Sequence, residues 1–374
     1  MKPLPHQQRI VDLNPTKILL DWETRCGKTL PACLWIDAPE QAGKTFIICK
    51  KANKQAWINM GTEATVLTKE EFKKHPMKNP TAIVFDEAHF AASPLFIKGR
   101  SQIATKFYEL IREYPKCHIM LLTATPVRND AWSLHTLLSY VGVYYDWKKW
   151  RDEFFELKRM PYLRFPAYFP KANWREGVDK YRKLHCDQVS LKDVVDVLPP
   201  VTSRTIKIKQ KKYVSPKDEI VTWVDEHRHE QQGKAEEIMK LGYRKAILVC
   251  KYTSQIDELA DKLKNEKPVF ILDGRTKNQG ETIKKAQDAE ECYFIVQESC
   301  AEGWDGWMFS VMIFVSMSHS YVSNVQMHGR QRHPLYLRDI DILYMVGGRW
   351  DQKILNAFKE GENFNPHAPP PQTE

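Results

Sequence analysis

The chain has 374 residues, enough for two domains of ordinary size with some to spare. Hydrophobic residues make up 43% of it, which excludes bulk disorder, and the formal net charge is +9. The opening "MKPLPHQQRI" has no apolar run or small-residue cleavage site, and no run of about eighteen apolar residues occurs anywhere, so neither a signal peptide nor a membrane partner is expected.

Eight cysteines stand singly, with no C-x-x-C pair. This pattern argues against disulfide and zinc frameworks and for a reducing cytoplasm. The basic excess lies in residues 1–240. It suits a polyanionic partner, and a solvated basic surface accounts for it equally well.

In chain order, "TKILLD" (16–21), "TFIICK" (45–50), "TAIVFDE" (81–87) and "HIMLLTATP" (118–126) read as buried parallel strands separated by helices. The alternation stops near Tyr145. It resumes with "KAILVCK" (245–251), "VFILDG" (269–274), "CYFIVQE" (292–298), "VMIFVSM" (311–317) and "DILYMVG" (341–347). The expected architecture is α/β, with two doubly wound parallel-sheet domains at 1–145 and 234–362. Residues 146–233 form a basic, aromatic-rich, mostly helical insertion and hinge. The proline-rich end, 363–374, is expected to be disordered.

The first strand runs into "LLDWETRCGKTL" (19–30) and then a helix opening, the context a phosphate-binding loop needs. Backbone N–H groups at a helix N-terminus cradle phosphate oxygens. Gly27 permits the turn, Lys28 reaches the β and γ phosphates of ATP, and the Thr29 hydroxyl ligates Mg²⁺. The strict pattern has glycine where Trp22 stands. Downstream, "AIVFDEAH" is a strand ending in Asp86-Glu87. Asp86 is the metal partner and Glu87 orients and deprotonates the attacking water.

These residues carry a family resemblance. "DEAH" (86–89), "LLTATP" (121–126) and "QMHGRQRH" (326–333) resemble motifs II, III and VI of superfamily-two helicases. "DWETRCGKT" resembles the "DEMGLGKT" of the Swi/Snf-like branch of DNA translocases, which also lacks the first loop glycine. "PHQ" (5–7) resembles the adenine-recognising glutamine motif, with Gln7 its candidate. "AWSLHTLLSYVG" (131–142), "DWKKWRDEFFE" (146–156), "DVLPP" (196–200), "LVCKYTSQIDELADKL" (248–263), "ILDGRT" (271–276), "SCAEGWDG" (299–306) and "GRWDQKILNAFK" (348–359) resemble further segments of that branch, in order.

The resemblance implies two RecA-like lobes that use ATP and Mg²⁺ to move on or remodel DNA without sequence preference. Such a compact form resembles phage-encoded helicases, with the host cytoplasm as location and phage replication or recombination as setting. It implies that Arg330 acts as an arginine finger, with Arg332 or His333 in the second finger position, where the family has arginine. It implies that Asp305 and Gln326 face the nucleotide, and that Thr123 and Thr125 relay between ATP and nucleic acid. A strand end with a helix cap accounts for the two threonines as well.

Lys50, Lys51 and Lys54 of "CKKANKQAW" are the candidate nucleic-acid contacts; an ordinary charged helix start is the alternative. Arg25 stands where the family has glycine. It reads as a solvent-facing side chain in ordinary backbone geometry, or as a contact to phosphate or to the second lobe. Between Tyr144 and Arg182, aromatic and basic residues interleave. This reads first as the core of a small helical insertion, and second as a stacking platform. His227 and His229 read as surface residues. Two other function classes remain: an RNA-remodelling DEAH-box ATPase, and a nucleic-acid binder with a weakened ATPase working as a subunit of a larger complex.

Overall fold

The computed structural model describes the chain except Met1, the Ala52 side chain and residues 94–100, 128–130, 160–164, 195–199, 210–221, 301–303, 333–338 and 367–374. His333, Glu302, Gly303, most of the Leu198-Pro199-Pro200 hinge and most of the proline-rich end therefore lie outside the described residues.

The chain divides into two compact units, Met1–Asp196 and Val197–Glu374. In the first, the strands are β1 (Lys17–Trp22), β2 (Lys44–Cys49), β3 (Thr65–Thr68), β4 (Pro80–Asp86), β5 (His118–Thr123), the short pair β6 (Phe155–Lys158) and β7 (Ala167–Pro170), and β8 (Asp187–Val189). Six of them make one parallel sheet in the order β3-β2-β4-β5-β1-β8. β4 and β5 insert between β2 and β1, so the carboxyl ends of β1, β5 and β4 emerge side by side. In doubly wound sheets ligands bind at such an edge. The inner strands are buried along nearly their whole length, as apolar runs covered by helices on both faces must be.

The stretch expected as an insertion divides between the units. Its helices Trp147–Phe154 and Trp174–His185 send Trp150, Phe154, Trp174 and Val178 into the same core as Phe107, Leu134 and Leu138. β6 and β7 form an antiparallel hairpin. β8 then returns to pair with β1.

The second unit holds β9 (Val201–Lys207), β10 (Lys245–Cys250), β11 (Val269–Leu272), β12 (Cys292–Gln297), β13 (Val311–Phe314) and β14 (Ile340–Val346). They form a parallel sheet in the order β11-β12-β10-β13-β14-β9. β9 is an exposed edge strand, as the alternating "RTIKIK" implies. Among the described residues, no helix is long and apolar enough to cross a membrane. Among the described residues the cysteines form no disulfide, and burial raises the thiol pKa of most of them.

The second unit is fastened by a buried ion cluster that sequence patterning did not suggest. Lys234 is fully buried; its Nζ donates to Asp351 Oδ2 (2.6 Å), Gln231 Oε1 (2.7 Å) and the Val315 carbonyl (2.6 Å). His227 is fully buried too, with Nε2 2.9 Å from Asp351 Oδ1 and Nδ1 2.9 Å from the Tyr252 hydroxyl, which corrects its reading as a surface residue. Glu230 caps the helix Arg349–Lys359 by accepting from the N–H groups of Trp350 and Asp351.

His227, Glu230 and Asp351 lie close enough together for a metal ion. The Lys234 ammonium already supplies the positive charge there, so the cluster reads as structural. Removing one partner of a buried ion pair strands the other charge. Lys234→Ala is expected to lower unfolding free energy by about 3 kcal/mol in chemical denaturation, and adding Asp351→Asn should recover part of that loss.

Candidate functional site

β1 leads into a loop held from two sides. Gly27 has φ +73°, and a Cβ there would come within 2.4 Å of Gln7 Nε2. That amide donates to the Gly27 carbonyl (2.8 Å), while Gln7 Oε1 accepts from the Leu4 N–H (2.7 Å). His6 Nε2 donates to the Cys26 carbonyl (2.9 Å). The helix Pro5–Leu13 thus lies as a strap across the loop.

On the other side, Trp22 is fully buried and donates from Nε1 to Asp187 (2.7 Å), which also receives Arg9. The Glu23 N–H donates to the Val189 carbonyl (2.9 Å), and Glu23 Oε2 accepts from the Leu191 N–H (2.9 Å). Trp22, which departs from the strict loop pattern, therefore anchors the loop to β8. Behind it, the buried Asp21 carboxylate accepts from Arg182 and Gln188.

Arg25 corrects one expectation. Its φ is +72°, so it holds the left-handed backbone of the glycine it replaces rather than an ordinary geometry. Lys28 closes the loop and is half-buried. Its Nζ donates to the carbonyls of Trp22 (2.7 Å) and Glu23 (3.1 Å). Burial lowers its pKa, and the nearby carboxylates Glu87 and Asp86 oppose that shift. Thr29 is the first residue of the helix Thr29–Ile36.

At the end of β4, Asp86 Oδ2 accepts from Asn53 Nδ2 (3.1 Å) and Trp57 Nε1 (3.1 Å), both on the helix Lys51–Asn59. Burial and the Glu87 charge raise the Asp86 pKa to about 6 despite those donors. Glu87 sits at φ +53°. Burial opposes its ionisation, but His89, Lys28 and Lys50 outweigh burial and hold its carboxyl low.

His89 is buried, and its Nδ1 lies 3.2 Å from Glu87 Oε2, 3.3 Å from Thr123 Oγ1 and 3.4 Å from Thr125 Oγ1. The Thr125 N–H donates to Thr123 Oγ1 (3.0 Å). One imidazole nitrogen therefore links the strand-end carboxylate to both threonines. Asn53, Trp57 and His89 were not assigned such roles by sequence reasoning; only the letters around them gave a signal.

The three lysines divide. Lys54 pairs with Glu71 at 2.8 Å, Lys50 lies over the Phe90 ring at 4.6 Å, and Lys51 is exposed at the helix start.

In the second unit, Arg330 Nη1 donates to the Trp304 carbonyl (3.1 Å), and the Gly306 N–H donates to the Arg330 carbonyl (2.9 Å). Asp305 thus lies between the two residues that bond to Arg330, with its own carbonyl accepting from Gln287 (2.7 Å). Gln326 is buried on the helix Tyr321–His328, and its Nε2 has no hydrogen-bond partner among the described residues. The helix ends before Arg330 and Arg332, so both arginines project from the segment beyond it rather than from its next turn. The positive charge of Arg332 adds to burial in lowering the His328 pKa to about 3.

The fold these sites stand on is that of two RecA-like lobes, each a parallel sheet flanked by helices. Among solved structures, the chain is similar to Dbp5 of S. cerevisiae bound to RNA and ADP–BeF3 (TM-score 0.56), and to a leucine-to-valine variant of it in the same complex (TM-score 0.57). Each is 14% identical, and the match covers 96% of this chain and 88% of theirs. No protein-family model and no curated protein sequence matches the chain.

Two outcomes follow from the geometry. Arg25→Gly should raise unfolding free energy by about 1 kcal/mol, because left-handed strain is relieved and only part of the gain is returned as chain entropy; a lower melting temperature would show that the arginine side chain outweighs its backbone. Trp57→Phe keeps the packing but removes one donor to Asp86. It should cost about 1 kcal/mol in thermal unfolding.

Proposed function

We propose that this chain is a nucleic-acid-dependent ATPase of the helicase type. The observation that carries the reading is the half-buried Lys28, on a braced phosphate-type loop, beside Asp86-Glu87 two strands away on the same sheet edge.

ATP phosphates would lie against the loop and the start of the helix Thr29–Ile36. Thr29 and Asp86 would hold the ion through oxygen atoms, which suit Mg²⁺ better than a softer metal. The bound ion would supply charge at the β and γ phosphates. Lys28 neutralises the same oxygens. Glu87, held ionised, accepts a proton from the attacking water and orients it. Gln7 uses its amide on Leu4 and Gly27, so its role is first to hold the loop in shape. By the family resemblance, Asp305 and Gln326 are the second unit's candidates for holding nucleotide, and Arg330 and Arg332 its candidates for positive charge in the transition state. Thr123 and Thr125 sense Glu87 through His89. Lys50, Lys51 and Lys54 lie on the nucleic-acid side, Lys54 after leaving Glu71.

Two observations bear on which nucleic acid activates it. The fold neighbours are RNA-bound, which supports RNA. The "LDGRT" strand and the tryptophan-lysine segment resemble a DNA-translocating branch, which supports DNA.

The test is steady-state ATP hydrolysis with Mg²⁺, alone and with single-stranded DNA, duplex DNA or RNA. The activating polymer names the substrate, and absence of hydrolysis with all of them overturns the reading. Lys28→Ala should lower turnover at least about a hundredfold while leaving nucleic-acid affinity near wild type, because the loop and the grip are separate surfaces.

A further inference from the structure

The helix Trp147–Phe154 has two aromatic faces with opposite fates. Trp150 and Phe154 are buried among Tyr145 and Tyr181. Trp147 points outward and is 40% exposed. One turn on, the Arg151 guanidinium is held by Asp152 (Nε to Oδ1, 2.7 Å). It lies 5.4 Å from the Trp147 ring centre and 4.8 Å from that of Tyr168 on β7. Tyr168 is 46% exposed and stands opposite Leu157, itself exposed, in the hairpin register. Lys148 Nζ lies 5.8 Å from the Trp147 ring. Between Trp147 and Arg175, lysines and arginines outnumber acidic residues.

We propose that Trp147, Arg151 and Tyr168 form a stacking platform for the bases of a single-stranded nucleic acid, with Lys148 and Lys149 taking its phosphates. The proposal rests on the nucleic-acid-dependent reading above and adds a second contact surface to it. An aromatic side chain that is 40% or more exposed gains by covering that surface, and a base offers a face of matching size. Arg151 lies against both rings, ties them together and adds a positive charge that attracts bases and phosphates to the same patch. A face for an apolar protein partner would be continuous and uncharged at its centre; this one carries its cation in the middle, among further lysines. Bases in a duplex are already stacked on each other, so the occupant is a single strand or a single-stranded end.

The test compares the full-length wild type with Trp147→Ala/Tyr168→Ala and with Trp147→Phe/Tyr168→Phe. Binding of fluorescent oligo(dT), oligo(U) and a blunt DNA duplex is measured across salt concentrations, with a thermal melt of each variant. The double alanine variant should lose about tenfold in single-strand affinity for each ring that stacks. Duplex affinity, the slope of log K against log salt and the melting temperature should hold, because the rings make no phosphate contacts. The phenylalanine variant should bind like wild type.

Equal single-strand affinity in the alanine variant overturns the platform, and so does an equal loss for duplex. Affinity of the alanine variant for a co-purifying protein, lost while oligonucleotide binding holds, would overturn it in favour of a protein-docking face. Failure of the wild type to bind any oligonucleotide overturns the parent reading instead. The two failures are therefore distinct.

Discussion

The chemistry of the first unit depends on a loop held in a shape that its own sequence resists. Two of its residues, Arg25 and Gly27, sit in the left-handed region, and one of them has a long side chain. Such a conformation persists only where its surroundings over-determine it. Here the surroundings are the strap Pro5–Leu13, which holds successive carbonyls through His6 and Gln7, and β8, which takes Trp22 and Glu23 from the opposite side. β8 in turn is positioned by Arg182 and Gln188 on the buried Asp21. The segment that looks like an insertion is thus part of the brace that shapes the phosphate loop.

Buried carboxylates in this protein follow two designs. Asp351 is paired with Lys234, bonded to His227 and accepts from the Gly347 N–H, and these contacts outweigh burial to keep its pKa low. Such a group fastens helices together. Asp86 is raised toward neutrality because burial and Glu87 work against its charge, and two neutral donors together with Lys28 do not offset them. A carboxylate left short of positive charge is suited to receive a cation, and perturbed groups of this kind mark functional sites. His227, Glu230 and Asp351 have metal-ligand spacing and a structural role; Asp86 has fewer acidic neighbours and is the carboxylate proposed to take the cation.

His89 and the helix Lys51–Asn59 link the chemical centre to the rest of its unit. The imidazole touches Glu87, Thr123 and Thr125 at once, and the helix touches Asp86 from one side while presenting lysines from the other. The donors on Asp86 therefore depend on where that helix sits. Such a link needs no long-range path, only an element with two faces.

Much of this was legible from residue order alone. The apolar runs that mark β1, β2, β4, β5 and the five later strands are long, unbroken and flanked by turns, and Gly27-Lys28-Thr29 and Asp86-Glu87 stand at strand ends where such chemistry belongs. Local patterning determines those things, because burial on both faces of a parallel strand leaves a mark in consecutive residues. What only the tertiary structure decided are contacts between residues far apart in the chain. These are the pairing of β8 with β1, the left-handed Arg25, the donors Asn53 and Trp57 on Asp86, the burial of His227, and the division of the aromatic segment into an inward Trp150 and an outward Trp147. Each depends on which surfaces meet when the sheet closes, and no periodicity in a single stretch records its future neighbour.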